Sequence, residues 1–436
     1  MNIPKTDKLR VVVIGGGFAG LHLAKKLNTH IYQIVLLDRN NYHTFQPLMY
    51  QVASAGLEPD SIAYPLRKKF RNKKYIHFRI ADVFQVDYND KLIKSSLGNL
   101  EFDILIIATG AKTNFFGMEN VEKYSLPMKS LVESLNLRSR ILEQFEDALI
   151  QDQVTEINKR LTFVIAGGGA TGVELAGALS ELKNKILPKD YPDLDIRNMS
   201  IHIIEGADRV LSSMSIKSSN KAEKFLKKLG VNVWTSKRVQ DYDGEVVKTA
   251  DGMEIPTKTL IWAAGVEANP IEGFSPEDFN RNRFLVNSNC ELLHHKDIYA
   301  IGDVAYFEAP NKQPLPMLAS VAMQQGIYLS KYLNRKKKYK GFTYLDKGTM
   351  ATIGRNKAVV DLGKFKFQGT LAWFVWMFVH VMLLVGFRNR LIVIVNWFWN
   401  YISYNNGSRL IVRKSTEYHS MSEMRKDKKS DHSLTR

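Results

Sequence analysis

A chain of 436 residues, 45% hydrophobic and 24% charged, has room for two or three domains with cores of their own. Its formal net charge of +17 points to a polyanionic partner, and nucleic acid and an anionic membrane surface are the two candidates. The one cysteine, Cys290, excludes a disulfide framework and any dithiol redox centre.

Residues 9–14 read as an apolar, β-branched strand, and Gly15-Gly16-Gly17-Phe18-Ala19-Gly20 follows as a G-x-G-x-x-G turn opening a helix over 20–28. In that setting one glycine makes the tight turn and the next lets backbone approach a pyrophosphate. The third lets helix pack on strand, with phosphates at the helix N-terminus. Lys8 and Arg10 before an apolar run imitate a secretory signal. The glycine-dense centre and the strand over 33–38 make a coherent nucleotide unit instead, so no signal or transit peptide is expected and the chain is expected to stay on the cytoplasmic side. Asp38 ends that second strand, placed to accept hydrogen bonds from ribose hydroxyls. A basic stretch follows with Arg67, Lys68, Lys69, Arg71, Lys73 and Lys74. Residues 102–110 then read as a buried parallel strand closing in Ala108-Thr109-Gly110.

The same plan recurs. A strand over 161–166 runs into Gly167-Gly168-Gly169-Ala170-Thr171-Gly172, and a strand over 200–205 ends in Glu205. The module closes over 259–265 in Ala263-Ala264-Gly265. A whole module used twice implies two dinucleotides on one polypeptide and electron transfer between them. Glu205 favours a free ribose over a 2′-phosphate, which a carboxylate repels, although Arg209 nearby softens the exclusion. A further strand over 297–305 carries Gly302-Asp303, and a helix is expected over 318–333.

The last 90 or so residues change character. Residues 371–387 are almost unbroken apolar sequence, about 17 residues or about 25 Å of helix, which is short for a span; Arg388 and Arg390 follow at once. A second apolar run covers 391–401. Trp373, Trp376, Trp397 and Trp399 suit the depth at which indole is half wet. Two short helices lying in the interface are expected rather than one crossing it. The basic stretches at 67–74, 331–340 and beyond 413 add attraction to anionic headgroups, and the polar tail from Arg413 reads as disordered.

Together these features resemble the type II NADH:quinone dehydrogenases, single-subunit members of the two-dinucleotide flavoprotein superfamily, over roughly residues 8 to 412. Further matching segments are Asn41 to Tyr50, Thr171-Gly172-Val173-Glu174-Leu175-Ala176-Gly177 and Met350 to Arg355. The resemblance implies an α/β fold with two Rossmann-like dinucleotide-binding domains, one inserted in the other, plus a C-terminal membrane-associated helical segment. It implies an FAD domain over 1–115 and 275–345, an NADH domain over 116–274, a membrane-anchoring region over 346–412 and the tail over 413–436. FAD would sit on Gly15, Gly17, Gly20, Asp38, Thr109, Gly110, Gly302 and Asp303. NADH, the hydride-donating substrate, would sit on Gly167, Gly169, Gly172, Glu205, Ala264 and Gly265. Glu174 would act beside the nicotinamide, although a first-turn acid that favours the helix dipole explains it too. Asp303 likewise has a plain reading as a helix cap.

The family's A-Q-x-A-x-Q quinone motif reads Ala319-Ser320-Val321-Ala322-Met323-Gln324 here, so Ser320 stands for the first glutamine. Gln324 would act at the quinone with Ser320, whose hydroxyl has shorter reach. Lys357 is a further quinone candidate that solvation explains as well. His43, Phe45, Pro47 and Tyr50 form an aromatic loop expected near the flavin. The implied partners are a membrane quinone and an anionic membrane surface, with no nucleic acid; a homodimer stays open. The implied location is the cytoplasmic face of the bacterial inner membrane, as a monotopic, non-pumping protein.

The rivals are few. Disulfide reductases and sulfide:quinone reductases of this superfamily need cysteine pairs, which Cys290 alone cannot supply. Soluble ferredoxin or rubredoxin reductases share both fingerprints but lack an apolar C-terminus. A flavin-bearing redox sensor that docks a partner protein is the non-enzymatic alternative.

Overall fold

The computed structural model describes residues 1–309, 313–335, 340–403 and 408–411, with the backbone alone at 402 and 403; the basic tail expected to be disordered lies outside them. The chain forms two compact units. The first comprises Met1–Thr44, Ala63–Thr113 and Val266–Lys347; the second comprises Phe45–Ile62, Asn114–Gly265 and the chain from Gly348 on.

In the first unit a parallel sheet runs in the order Ile298–Ala300, Ile104–Ile107, Leu9–Ile14, Tyr32–Asp38, Ile76–Ile80. The strand Leu9–Ile14 is central, with Val13 opposite Leu36 on one side and Ile106 on the other. Val11, Val12 and Val13 are wholly buried, as a run covered on both faces of a parallel sheet must be. Each such side chain contributes roughly 1.5–3 kcal/mol. The strand expected over 297–305 stops at Ala300, because Gly302 turns the chain at φ +80 into the 3-10 turn Gly302–Val304. The helix expected over 318–333 forms as Ala319–Arg335 and packs on the fingerprint helix Phe18–Lys26. Gly326 permits that approach, since a Cβ there would lie 2.3 Å from the Ala19 carbonyl oxygen.

The second unit repeats the sheet: Leu126–Pro127, Thr259–Trp262, Thr162–Ala166, Ser200–Ile204, Val231–Trp234, all parallel. The repeat extends to a feature the sequence pattern does not announce. Each unit crosses from its third strand to its small-residue strand through a three-stranded antiparallel meander. The meander is Val83–Asp87, Leu92–Ser95 and Leu100–Glu101 in the first unit. In the second it is Val239–Tyr242, Val246–Thr249 and Glu254–Pro256.

The C-terminal part of the second unit opens with an antiparallel sheet, Thr349–Thr352, Ala358–Leu362 and Phe365–Gly369. Asp361 staples it down by accepting from the Ser215 amide (2.7 Å) and the Ser218 hydroxyl (2.7 Å) at the start of the helix Ile216–Lys228. Two helices follow, Thr370–Leu383 and Phe387–Ser403. Among the described residues no helix is long and apolar enough to cross a membrane. The first helix buries Ala372, Trp376 and His380 at i, i+4 spacing and leaves Phe374 and Phe378 exposed. Arg390 donates to the carbonyl oxygens of Leu384 (3.0 Å) and Met382 (2.8 Å), so the arginine after the first apolar run satisfies carbonyls at that helix's end.

Candidate active site

Two backbone cradles come first. In the first unit Gly15 sits at φ +106, and a Cβ there would lie 2.2 Å from the Ala108 carbonyl oxygen. A Cβ at Gly20 would lie 1.9 Å from the Gly15 oxygen, whereas one at Gly17 meets nothing within 4 Å. The outer glycines are therefore needed by the chain itself, and the middle one faces open space where a ligand's phosphate would approach. The Asp38 carboxylate accepts from the Gly16 amide (2.6 Å) and the Asn40 amide (2.7 Å), which fixes the acid at the strand end beside the turn. Burial raises the Asp38 pKa, opposed by those two amides and by Arg39. Thr109 Oγ1 is buried with no hydrogen-bond partner, an orphan that a bound group would satisfy. Gly302 joins the same unit, its amide donating to buried Gln325 Oε1 at 2.7 Å. Asp303 follows it in the same 3-10 turn and acts on the Arg283 charge.

The second cradle copies the first. Gly167 (φ +108) stands 2.5 Å from the Ala263 oxygen by its absent Cβ, Gly172 stands 2.0 Å from the Gly167 oxygen, and Gly169 is open. Glu205 accepts from the Gly168 amide (2.5 Å) and the Ala207 amide (2.7 Å), as Asp38 does in its own turn. Arg209 is drawn off by the Ser212 carbonyl (2.9 Å), so it does not pair with Glu205. A Cβ at Gly265 would strike the Phe116 ring at 2.7 Å, and Ala264 precedes it in the closing turn.

Glu174 lies on the second fingerprint helix, Ala170–Glu181. Gly177 on that helix lets the turn at Ile353-Gly354 come close, its absent Cβ 2.8 Å from the Gly354 nitrogen. Two segments quoted from the sequence, 171–177 and 350–355, therefore meet. The Thr352 amide donates to Glu174 Oε1 at 3.3 Å. Glu174 is 7% exposed, and burial pushes its pKa up to about 8, with the Thr352 amide opposing. The Trp376 indole N–H favours the charged form weakly, without hydrogen-bond geometry. Glu174 is thus mostly protonated at neutral pH and able to give a proton away.

Glu174 opens on a cavity of about 130 Å³. Trp373, Trp376, Met377 and Trp397 from the two C-terminal helices roof it, and Tyr50, Gln51 and Glu181 stand in its wall. Trp397 donates to Gln51 Oε1 at 2.8 Å, and Gln51 Nε2 donates to the Tyr50 hydroxyl at 2.9 Å. His380 stacks on Trp376 at 4.1 Å and donates to the Trp376 carbonyl at 2.7 Å; burial holds its pKa at about 4, so it stays neutral. Asn400 donates to the Gly56 carbonyl at 3.1 Å and Asn389 to the Asp60 carbonyl at 3.0 Å, docking the second helix.

Ser320 and Gln324 belong to the first unit. The Ser320 hydroxyl pairs with the Tyr344 hydroxyl at 3.0 Å. Gln324 pairs doubly with the Leu345 main chain, donating at 2.9 Å and accepting at 3.0 Å. Lys357 belongs to the second unit and makes a long contact of 3.4 Å with the Arg355 carbonyl. In the aromatic loop, His43 donates to the Gly16 carbonyl at 3.0 Å within the first unit. Phe45 meets His380 edge-on at 6.1 Å within the second. Sequence reasoning missed Gln51, Glu181 and Arg355. Only Glu181 had a local signal, its seven-residue spacing from Glu174 on one helix face.

Residues 9–326 match the model of the pyridine nucleotide-disulphide oxidoreductase family, and residues 347–403 match the NDH2 C-terminal domain. The chain is 33% identical over 423 residues to the type II NADH:quinone oxidoreductase NdhA of Mycobacterium tuberculosis, covering 92% of this chain and 89% of that protein. It is 29% identical to the mitochondrial internal alternative NAD(P)H-ubiquinone oxidoreductase A1 of Solanum tuberosum, covering 93% and 89%. Among solved structures, NDH2 of Plasmodium falciparum in complex with NADH superposes with TM-score 0.87 at 22% identity, covering 93% of this chain and all of that one.

Proposed function

The chain belongs to the type II NADH:quinone oxidoreductases, and from that membership we infer what each of its parts does. The activity is oxidation of NADH and reduction of a quinone by one membrane-associated subunit that pumps no protons. FAD held by the cradle of the first unit would supply the two-electron chemistry that links NADH oxidation to quinone reduction.

The open Cβ position of Gly17, the Gly15 and Gly20 turn, Asp38, Gly110 and the orphaned Thr109 hydroxyl support the first cradle as the FAD site, completed by Gly302 and Asp303. The matching geometry of Gly167, Gly169, Gly172 and Glu205, with Ala264 and Gly265 closing the turn, supports the second as the NADH site. These residues bind and orient; hydride transfer needs alignment more than acid–base help. Among the described residues no cation pairs with Glu205, so a 2′-phosphate meets a carboxylate. NADH is expected to exceed NADPH in kcat/KM by at least about tenfold, a charge-repulsion effect of more than about 1 kcal/mol. Equal values for the two nucleotides in steady-state assays would overturn the role given to Glu205.

One observation carries the reading of the reaction's far end. Glu174 is a buried, protonated carboxyl opening on a cavity roofed by the apolar C-terminal helices. It supplies a proton where a quinone oxygen gains charge. By the family motif Gln324 and Ser320 are assigned to the quinone as hydrogen-bond partners, and Lys357 is a separate candidate by its charge. The exposed Phe374, Phe378 and Phe398 lie in the lipid interface, and the basic residues at 67–74 meet anionic headgroups. The cytoplasmic face of a bacterial inner membrane suits this arrangement, and a homodimer is compatible with it.

Membranes carrying the protein are expected to reduce added quinone with NADH and to leave ferredoxin oxidised. A high-salt wash is expected to leave most activity on the membrane, and detergent to release it with its flavin. Ferredoxin reduction, or clean release by salt alone, would point to the soluble reductases instead.

A further inference from the structure

Reduction of a quinone by NADH consumes one proton from water: NADH + H⁺ + Q gives NAD⁺ + QH₂. The hydride brings both electrons and one hydrogen, so the second hydrogen must reach the site as a proton. Glu174 can deliver it, but at 7% exposure it must then be recharged from elsewhere.

Glu181 stands seven residues further along the same helix, two turns on and on the same face, about 10 Å along the axis. Both carboxyl groups line the one cavity of about 130 Å³, which has room for several waters on a polar wall. Tyr50 lies under the influence of both. Glu181 as a residue is half-buried where Glu174 is buried. Its carboxylate accepts the Arg355 amide N–H beside Gly354, whose absent Cβ would lie 2.9 Å from Oε1. The helix changes character at this residue, passing into a π turn over Leu182–Ile186 before Pro188, which has no N–H to continue it. Arg355 closes the outer end. Its guanidinium donates to the carbonyls of Asn400 (2.5 Å) and Tyr401 (3.0 Å) and lies 4.7 Å over the Tyr401 ring.

We propose that Glu181 is the relay carboxyl through which the proton consumed in each turnover passes from water to Glu174. A proton arriving at the outer end binds the Glu181 carboxylate, crosses the cavity through water, and restores the Glu174 carboxylate to its acid. Only O–H bonds are made and broken, and the electrons come from NADH alone. The charged and titratable groups facing Glu181 are Arg355, Lys357, Tyr50 and Glu174. Burial raises the Glu181 carboxyl above its usual range, and the Arg355 amide and the charges of Arg355 and Lys357 hold it back. Glu181 is a positioning residue for the proton, since it acts through Glu174.

The proposal rests on the reading of Glu174 as the final donor, and Glu181→Gln, Glu181→Asp and Glu174→Gln holoenzymes separate the two. Glu181→Gln keeps an acceptor for the Arg355 amide, so flavin content and NADH-driven flavin bleaching should match the wild type. Its kcat for quinone is expected to fall about tenfold, less than the roughly 10²–10⁴ for loss of the final donor itself because water still recharges Glu174 slowly, with quinone KM unchanged. The loss should deepen as pH rises above neutral. The kinetic solvent isotope effect should increase, and Glu181→Asp or an added small weak acid should restore most of the rate. Infrared difference spectra on lowering the pH should lose one protonated-carboxyl band in Glu181→Gln. Wild-type kcat and isotope effect in Glu181→Gln beside a slowed Glu174→Gln would overturn the relay and leave the Glu174 reading standing. Wild-type behaviour in both would overturn both. A change in quinone KM alone would make Glu181 part of a binding wall and overturn the relay.

Discussion

Glu174→Gln is expected to reduce the turnover of quinone about 100-fold while leaving NADH binding and flavin content close to wild type. Loss of a positioned proton donor costs roughly 10²–10⁴ in rate, and water admitted to the cavity would recover part of that. In the wild type, quinone turnover should decline as pH rises through about 8, where the carboxyl gives up its proton. The amide of the variant does not titrate, so that limb should vanish. Wild-type stability should fall over the same rise in pH. The folded pKa of about 8 lies above the ordinary 4.5. The contribution of Glu174 to stability is therefore full below 4.5 and is lost as pH climbs through 8. Near pH 8–9 the variant should melt higher than the wild type. A variant slowed and also destabilised at that pH would show that Glu174 is held charged, against the role given to it.

Substitutions at the first glycine turn are expected to divide sharply. In Gly20→Ala the new Cβ would sit 1.9 Å from the Gly15 carbonyl oxygen, a backbone atom that cannot step aside. Loss of more than about 4 kcal/mol follows from a clash of that kind, and no soluble flavoprotein should be recovered. In Gly17→Ala the new methyl meets no protein atom within 4 Å. That variant should fold with a wild-type far-ultraviolet spectrum yet retain less than about a tenth of the flavin, because the methyl occupies the phosphate's approach. Flavin absorbance per mole of protein reads the result. Full flavin content in Gly17→Ala would mean that the open side of the turn is not where the cofactor lies.

The glycine turns were legible because their constraint is local. Four positions within about six residues must satisfy one steric problem, and a β-branched run on one side and a helix on the other give it context. The acids at 38 and 205 were legible for the same reason. The meanders were not, since Leu100–Glu101 is only two residues long and Val83–Asp87 buries one side chain fully. Short paired strands of mixed polarity carry no period to read. The cavity was legible only in pieces. Glu174 stood out as a residue, but its protonation depends on Thr352 and on an aromatic roof supplied from some 200 residues away. The bond from Trp397 to Gln51 joins positions 346 apart, and nothing in either neighbourhood foretells it. The two apolar runs were read as interfacial helices from length and tryptophan content. Their inner faces, which carry Trp376 and His380, came only from the packing.

Those inner faces bear on what the bilayer does for this protein. The helices that seek lipid on one side are, on the other, the insulation around a proton donor. Polar bonds from Asn389, Trp397 and Asn400 hold that insulation in place. Anchoring and insulation are two sides of one sheath and cannot be adjusted separately. Helices held close would keep bulk water off the acid, beyond the few waters its cavity has room for, and so keep it protonated. A medium that loosens them wets the acid and lets it ionise. For this enzyme the membrane is a dielectric as well as an address.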